Sequence, residues 1–380
     1  MRTAIKGQAM TRNSTQETRF ADLLHHRAHR LAKGDPVAPG IIPATTFHLP
    51  DLDGAPFKYA RMSSPTWEEV EEQLSLLEDA PCVSFPSGMA AITAALFATL
   101  KAGDHLILPS DGYYVTRVLG TEFLQSLGIR ITQIPTTAFA ETDFFGAQVV
   151  YIETPSNPGL DVCDIAAVAT NAHAAGAKLI ADNSTMTPLL QRPLDLGADI
   201  VVAADTKAPS GHSDVLFGHA ATRDPALLKR LTDWRRISGS VPGAFEAWLV
   251  HRGIETLELR MDRMCRSAAI LATRLAGHPR VKNLRFPGLP TDPSHTIALK
   301  QMTGFGFLLT FDLESEARAE AFLAACPYIA QTTSFGGTHT AGERRARWGD
   351  PVPPGFIRLS VGCEPTEPLW SAIDAALTAT

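Results

Sequence analysis

The chain has 380 residues, enough for two or more domains or for one large domain with a smaller one appended. Hydrophobic residues make up 45% and charged residues 19% of the sequence, which is typical of a soluble enzyme that can bury a large core. The net charge of −6, without a dense run of Lys and Arg, argues against nucleic acid as the main partner.

The spacing of the cysteines and the lengths of the apolar runs indicate the cellular compartment of the protein. The five cysteines have no CxxC spacing, which favours a reducing cytoplasm over a disulfide framework and argues against a zinc site. No apolar run reaches the ~18 residues that a membrane span needs, and residues 1–20 lack the apolar core of a signal peptide. We interpret this polar segment as an arm, although residues 1–10 fit a disordered, idle tail equally well. We therefore predict a cytoplasmic protein with no membrane contact and no bound metal.

Two polar features stand before the first predicted helix. Residues 23–33 carry three histidines and two arginines, which favours a solvated helix face over a basic phosphate site. Tyr59 and Arg61 follow in an extended loop, where side chains two residues apart can point the same way. Such a phenol and guanidinium suit an anionic ligand such as a phosphate, although taken alone they favour an ordinary surface pair.

Two helices are predicted next. Thr66, with Glu69 three residues later, forms a capping box. The apolar residues that follow fall on one helical face: Trp67, Val70, Leu74 and Leu77. The second helix opens at Ser87 and Gly88 and runs to about Leu100. Its free N–H groups lie where the macrodipole favours an anion, although a plain helix start with Ser as cap explains them too.

Two predicted strands each end near a residue that can face a ligand. Residues 104–109 form the first, and Tyr113 follows beside a glycine, so its ring can stack on a flat cofactor or belong to the core. Residues 149–153 form the second, and a turn with two prolines comes after it. That rigid turn can aim Asn157 at a ligand.

Two further apolar strands each deliver an ionisable residue. Residues 179–181 lead to Asp182, and residues 200–204 lead to Lys207. A lysine and a carboxylate at strand ends are what a pyridoxal phosphate (PLP) enzyme needs, because the lysine forms the Schiff base and the aspartate keeps the ring nitrogen protonated. The segment alone is equally compatible with an aspartate that caps a turn and a surface lysine.

Strands and helices alternate from about residue 80 to 220, the pattern of a doubly wound α/β fold with a mainly parallel sheet and helices on both faces. In such sheets ligands bind beyond the carboxyl ends of the strands. Five candidate residues share that location: Gly88, Tyr113, Asn157, Asp182 and Lys207. Their common position predicts one ligand site.

Beyond about residue 235 the pattern changes to a smaller α+β domain. Its predicted elements are a helical stretch over 246–276, a strand over 304–311, a helix near 317–325 and a strand-like segment at 358–362. Arg358 in that last segment can clamp a carboxylate through paired hydrogen bonds, although a surface arginine explains it as well. The predicted division of the chain is an N-terminal arm over 1–47, a large domain over 48–235 and a small domain over 236–380.

Six segments occur in an order that resembles one enzyme family. They are Tyr59-x-Arg61, Ser87-Gly88-Met89-Ala90-Ala91, Glu153-Thr154-Pro155-Ser156-Asn157-Pro158, Asp182-Asn183, Asp205-Thr206-Lys207 with Gly211-His212-Ser213-Asp214, and Arg358-Leu359-Ser360-Val361-Gly362-x-Glu364. The chain resembles the Cys/Met-metabolism PLP family, which contains cystathionine γ-synthase, cystathionine β- and γ-lyases and methionine γ-lyase. The resemblance covers roughly residues 36–375, and its motifs are specific jointly rather than singly. It implies an aspartate-aminotransferase-like fold (fold type I) with bound pyridoxal 5'-phosphate.

The resemblance implies a role toward the cofactor for each matching residue. Lys207 would form the Schiff base and shuttle protons, Asp182 would pair with the pyridinium nitrogen, and Tyr113 would stack on the ring and help activate the substrate amine. The residues that would hold the phosphate are Ser87, Gly88, Met89 and Thr206, with Tyr59 and Arg61 reaching over from a neighbouring subunit. The active site then implies a homo-oligomer, typically a tetramer of two such dimers, in which the N-terminal arm contacts the neighbour.

The resemblance also implies a substrate site for an amino acid. Arg358, with Asn157 and Ser334, would hold the substrate carboxylate. Arg117 and His339 complete the predicted substrate-binding residues. His339 stands where γ-acting relatives often place a glutamate for the distal amino group of cystathionine.

The chain also departs from the family pattern. Ala204 replaces the usual serine two residues before the Thr-Lys pair, which removes one phosphate hydroxyl, and Ser64 replaces a loop asparagine. The usual Tyr-Gly-Gly-Thr is Tyr113-Tyr114-Val115-Thr116, so either tyrosine can be the stacking ring. The loop over 341–354 is shorter than usual and rich in arginine (Arg344, Arg345 and Arg347). This loop, together with His339, predicts an altered distal pocket.

These features predict a PLP-dependent carbon–sulfur lyase that acts at the γ carbon of a sulfur amino acid and releases a 2-oxo acid, ammonia and a thiol. Alternatives on the same scaffold are β-elimination from cystathionine, γ-replacement on an activated homoserine and γ-elimination from methionine. From other classes, a non-catalytic PLP-binding relative and an aminotransferase are weaker hypotheses. Lys207, Asp182 and Arg358 argue against the first, and the motif order argues against the second.

Overall fold

A seven-stranded sheet carries the strand ends that the sequence singles out. The structure, a computed structural model, describes residues 14–380, with the side chains of residues 14–16 left out. The strands of this sheet are β1 (Cys82–Phe85), β2 (His105–Pro109), β3 (Arg130–Ile134), β4 (Val149–Glu153), β5 (Lys178–Asp182), β6 (Ile200–Ala203) and β7 (Gly218–Ala221). They lie in the order β1-β7-β6-β5-β4-β2-β3, and all are parallel except β7.

Helices cover both faces of this sheet. The helices in this half of the chain are α1 (Ser14–Leu24), α2 (Pro65–Glu78), α3 (Gly88–Thr99), α4 (Tyr114–Val118), α5 (Ile165–Ala174), α6 (Thr187–Leu190) and α7 (Pro225–Ser238). One buried cluster joins α3 and α7 to the sheet, and a second joins α5 to it. The central strands are apolar and buried throughout because both faces are covered. The predicted α/β fold with a mainly parallel sheet is confirmed.

The second half of the chain forms a smaller sheet. Its elements are α8 (Ala244–Ile254), α9 (Leu257–Leu275), β8 (Lys282–Arg285), α10 (His295–Gln301), β9 (Leu308–Asp312), α11 (Glu316–Ala325), β10 (Ala330–Gln331), β11 (Ala341–Arg344), β12 (Phe356–Ser360) and α12 (Thr366–Ala379). The five strands lie in the order β10-β11-β12-β9-β8 and pair antiparallel except β10 with β11. The predicted boundary at residue 235 falls inside α7, where Trp234 stacks on Phe97 of α3 at 4.5 Å between ring centroids.

The predicted capping box at Thr66 is wrong. Helix α2 begins at Pro65, and Ser64 is its N-cap without a side-chain capping bond, since proline at the first helical position has its φ preset and needs no N–H partner. The Thr66 hydroxyl instead accepts the N–H of Ile42 at 2.9 Å. The predicted face is right, because its four apolar residues are all buried.

Other predicted elements need smaller corrections. The helical stretch over 246–276 is two helices, α8 and α9, because the helix is interrupted at residues 255–256. The strand predicted over 304–311 begins only at Leu308. Residues 23–33 are not one helix, since α1 ends at Leu24 and a short 3-10 turn follows at Ala28–Arg30. Part of the predicted arm, residues 1–13, lies outside the described residues. No helix within the described range is long and apolar enough to cross a bilayer.

Candidate active site

A cavity of about 600 Å³ opens at the carboxyl ends of the parallel strands. The five strand-end candidates all line it: Gly88, Tyr113, Asn157, Asp182 and Lys207. Ser334 and Arg358 reach the same wall from the second half of the chain. The cavity therefore lies between the two sheets, and the structure brings together residues that stand up to 270 positions apart in the sequence.

The start of α3 forms an anion cradle at one end of the cavity. Ser87 caps the helix by accepting the N–H of Ala90 at 3.1 Å, which leaves the N–H groups of Gly88 and Met89 in the first turn without helical acceptors. A Cβ on Gly88 would lie 2.5 Å from the Cβ of Ala204, so only glycine fits there. This cradle is built for a group that accepts backbone N–H bonds, such as a phosphate.

Neither of two side chains beside the cradle offers a free hydroxyl. The Thr206 hydroxyl is engaged with Phe217 of its own loop, donating to the carbonyl at 3.2 Å and accepting the N–H at 2.9 Å. Ala204 lines the cavity without a hydroxyl, and its N–H is bound by the Ser184 Oγ at 2.8 Å. The cradle therefore depends mainly on backbone groups.

Asp182 lies at the base of the cavity with both carboxylate oxygens held. Tyr151 donates its hydroxyl to Oδ2 and Ser184 donates its N–H to Oδ1, each at 2.9 Å. The side chain is only 5% exposed, and burial raises its pKa. A buried carboxylate in this position is stabilised by a cationic partner, which is what a protonated pyridine nitrogen provides.

Glu153 is a site residue that the sequence did not single out. It ends β4 directly beside Asp182 of β5, and it accepts the N–H of Tyr113 at 2.6 Å and of Asn157 at 2.8 Å. Burial, followed by the Asp182 charge, raises the pKa of Glu153, which favours its protonated form. One carboxyl group thus positions both Tyr113, which would face the cofactor ring, and Asn157, which would face the substrate carboxylate. The position of Glu153 at the end of a strand was the sequence signal that could have identified it.

Lys207 points into the cavity from the loop after β6. Its amine donates to the Ser334 Oγ at 2.8 Å and lies 4.8 Å from the centre of the Phe335 ring. Burial, followed by the positive charge of Arg358, lowers the pKa of Lys207 to about 8. A substantial fraction of this amine is neutral near physiological pH, as a nucleophile or base requires.

Arg358 lines the cavity from β12. It donates from Nη1 to the Asn157 side chain and from Nη2 to the Ser334 carbonyl at 3.0 Å. Nη2 also pairs with the Glu343 carboxylate. The predicted carboxylate residues are therefore neighbours, and a carboxylate of this chain already contacts their arginine.

Glu343 and Arg345 are further cavity-side residues beyond those predicted. Arg345 lines the cavity, donates to Glu343 at 2.8 Å and pairs with Asp350. The sequence marks this loop only as rich in arginine. The contact between Glu343 and Arg358 depends on the pairing of β11 with β12, which local sequence patterns do not encode.

Four predicted site residues do not line this cavity. Tyr59 and Arg61 contact each other outside it, and Arg61 donates to the Arg236 carbonyl at 3.2 Å. Arg117 donates to the Gly112 carbonyl at 3.3 Å, and His339 is exposed beside Thr338. Of the two tyrosines, Tyr113 faces the cavity while Tyr114 is exposed and starts α4. The binding roles of these residues stay predictions.

The residues that line the cavity fit pyridoxal 5'-phosphate in their chemistry. The cradle at α3 would accept the phosphate, Asp182 would pair with the ring nitrogen, and Lys207 would supply an amine whose pKa is lowered. The Gly88 contact supports this fit independently of the ionisable groups, because the close approach of Ala204 excludes any side chain where the phosphate would enter. The residues present are therefore those that the cofactor needs.

Comparison with known proteins gives consistent matches over nearly the whole chain. The family model described as Cys/Met metabolism PLP-dependent enzyme matches residues 22–378. A Streptomyces coelicolor protein named "Putative cystathionine gamma-lyase" is 46% identical over 356 residues, covering 92% of this chain and 90% of the relative. A cystathionine gamma-lyase of Bacillus subtilis is 37% identical over 336 residues, covering 84% and 88%. The structure of a cystathionine gamma synthase from Xanthomonas oryzae pv. oryzae is 31% identical and superposes with a TM-score of 0.90, covering 97% of this chain and 98% of that one.

Proposed function

Because the chain belongs to the Cys/Met metabolism family of PLP-dependent enzymes, we propose that it catalyses γ-elimination on a sulfur amino acid of the cystathionine type. The products are a 2-oxo acid, ammonia and a thiol. The observation that carries the proposal is that the Lys207 amine shares one cavity with Asp182 and Arg358 and is close enough to both for their charges to act on it. This arrangement lets a base act on an amino acid whose carboxylate is fixed.

Bound PLP supplies an electron-poor ring that withdraws electrons from the α carbon of the substrate. Arg358 and Asn157 hold the substrate carboxylate, which orients the α C–H bond toward the Lys207 amine. That amine would take the α proton and, after passing it to the electron sink that the cofactor would supply, would be neutral again and could take a β proton, which allows the γ C–S bond to break. Burial raises the pKa of the Tyr113 phenol, so the phenol keeps its proton and can donate it to the leaving sulfur.

The lowered pKa of Lys207 gives a pH-dependent prediction for the cofactor-free protein. Only the neutral amine attacks the aldehyde of PLP, so the rate of capture should rise with pH and level off above about pH 8. An unperturbed lysine would show a rate that still rises near pH ~10. Stopped-flow absorbance near ~420 nm measures this rate. A rate that increases without a plateau up to pH ~10 would contradict the lowered pKa.

The products of purified enzyme distinguish the proposal from its alternatives. With cystathionine, γ-elimination should give 2-oxobutanoate and cysteine, whereas β-elimination gives pyruvate and homocysteine. With an O-acyl homoserine and cysteine, net formation of cystathionine would indicate γ-replacement. Parallel incubations with methionine and homocysteine, each analysed for its keto acid, complete the test. Pyruvate as the main keto acid from cystathionine would overturn the γ assignment.

We further propose that the enzyme is a homo-oligomer with shared active sites, in the form of a tetramer of two dimers. Tyr59 and Arg61 support this, since they do not line the cavity of their own chain and are partly exposed, so that they could reach a neighbour's phosphate. The N-terminal arm over 1–47 would contact that neighbour. The division into a large and a small domain follows the two sheets, with the connection near α7.

We place the enzyme in the cytoplasm. The five cysteines, all within the described residues, are free thiols, and four of them are buried. Unpaired thiols are typical of proteins that work in a reducing compartment.

A further inference from the structure

Glu343 bridges the two arginines at the carboxylate end of the cavity. It lies directly opposite Arg358 in the pairing of β11 with β12, which brings facing side chains close together. Its Oε1 accepts from Arg358 Nη2 and from Arg345 Nη1, the latter at 2.8 Å. The group that would receive the substrate carboxylate therefore already holds a carboxylate of the chain itself.

The buried charges around this bridge balance without substrate. Arg358, Glu343, Arg345 and Asp350 are 3%, 1%, 5% and 7% exposed. Two cations thus face two anions in a region shielded from water. A substrate carboxylate adds a further negative charge, and like charges that share one buried guanidinium repel strongly. Either the substrate binds against this repulsion or Glu343 moves away.

Glu343 has other partners that can retain it when it moves. Its Oε2 accepts from the Trp348 Nε1 at 2.8 Å, and Arg347 lies 3.7 Å from the same oxygen. Arg345 remains paired with Asp350 as well, at 2.7 Å. If Glu343 moves away from Arg358, it therefore loses one ion pair, but its carboxylate keeps other hydrogen-bond and ion-pair partners.

We propose that Glu343 occupies the substrate-carboxylate site of Arg358 in the resting enzyme and is displaced onto Arg345 and Trp348 when substrate binds. This inference rests on the proposed function, in which Arg358 holds the substrate carboxylate. Glu343 is then a positioning residue that sets substrate affinity. It keeps Arg358 oriented and charge-balanced between turnovers, and each substrate competes with it.

The test compares two ligands on PLP-loaded enzyme. Glycine has an amine and a carboxylate but no leaving group, whereas methylamine has only the amine, and both are titrated through the change in cofactor absorbance. Glu343→Gln keeps the size and an acceptor oxygen but removes the competing charge. We expect it to lower the Kd of glycine about tenfold, through loss of like-charge repulsion, and to leave that of methylamine unchanged. KM for the sulfur substrate should fall while kcat changes little.

Asp350→Asn is the matched control, because it removes one carboxylate from the same cluster without touching Arg358. It should change the Kd of glycine much less than Glu343→Gln. If Glu343→Gln does not retain the cofactor, Glu343→Asp keeps the charge but withdraws it from Arg358, and it should also tighten glycine. Weaker or unchanged glycine binding in the Glu343 variants would overturn the proposed displacement of Glu343 by substrate. An equal change in the Kd of glycine and of methylamine would overturn it too.

Arg358→Met separates this inference from the function on which it rests. If Arg358 holds the carboxylate, this variant loses affinity for glycine but not for methylamine. Unchanged glycine binding in Arg358→Met would refute the carboxylate site itself. Loss of glycine affinity there, without tightening in Glu343→Gln, would refute only the displacement of Glu343.

Discussion

Lys207→Ala should reduce turnover of the sulfur substrate by at least about 1000-fold, because in the proposed mechanism this one side chain provides both the covalent anchor for the cofactor and the base. The structure leaves no simple replacement at this point. The Lys207 amine lies 2.8 Å from Ser334 inside the cavity, and a serine hydroxyl is far too weak a base at neutral pH. The variant should also lose absorbance near ~420 nm from a protein-linked cofactor. Steady-state kinetics and spectra of the variant with added PLP measure both effects.

Lys229→Ala is the control for a lost lysine charge. Lys229 is on the surface of α7 and pairs with Asp233, so its loss should leave kinetics and spectrum unchanged. A small exogenous amine such as methylamine should restore part of the proton transfer in Lys207→Ala if the cavity is intact. Appreciable γ-elimination by Lys207→Ala without added amine would refute the assignment of Lys207.

The sequence predicted the four adjacent strands β2, β4, β5 and β6 of the large sheet because their signals are local, whereas β1, β3 and β7 were not predicted. Short apolar strands such as β4, β5 and β6 are buried on both faces, so composition alone marks them. Sheet topology then places their carboxyl ends together. Some errors concern the ends of elements, as at Pro65, where two rules compete for the first turn and the proline determines the start. Another lies inside a predicted element, since the helical stretch over 246–276 is interrupted at residues 255–256.

The distal part of the site could not be predicted because its contacts depend on strand pairing and not on local sequence signals. Glu343 meets Arg358 only through the register of β11 against β12, and Arg345 reaches the cavity only through the turn that follows. Arg344, its neighbour in sequence, points away to Glu316 and Glu320 of α11. A sequence pattern cannot distinguish two adjacent arginines whose side chains point in opposite directions. The assignment of His339 to the distal site likewise rested only on its position in the sequence. Its side chain is exposed.

Asp182→Asn should lower kcat about 100-fold or more while the fold is retained. Asparagine has the same shape and can still accept the Tyr151 hydroxyl, which lies 2.9 Å from Asp182 in the native site. It cannot supply the negative charge that holds a proton on the ring nitrogen, so the ring withdraws electrons less strongly. The buried carboxylate should also contribute to cofactor affinity through that ion pair. Kinetics under saturating PLP and a PLP titration followed by absorbance separate the two contributions.

Tyr151→Phe distinguishes the charge of Asp182 from its orientation. The phenylalanine variant removes one hydrogen bond but keeps the carboxylate, whose other oxygen still accepts the Ser184 N–H. We expect kcat to fall by about tenfold, which corresponds to the roughly 1.5 kcal/mol at the low end of a hydrogen bond to a charged group. The charge explanation predicts a much larger defect in Asp182→Asn than in Tyr151→Phe. Equal defects would show that Asp182 acts by orientation, and near-native kcat in Asp182→Asn would remove it from the cofactor site.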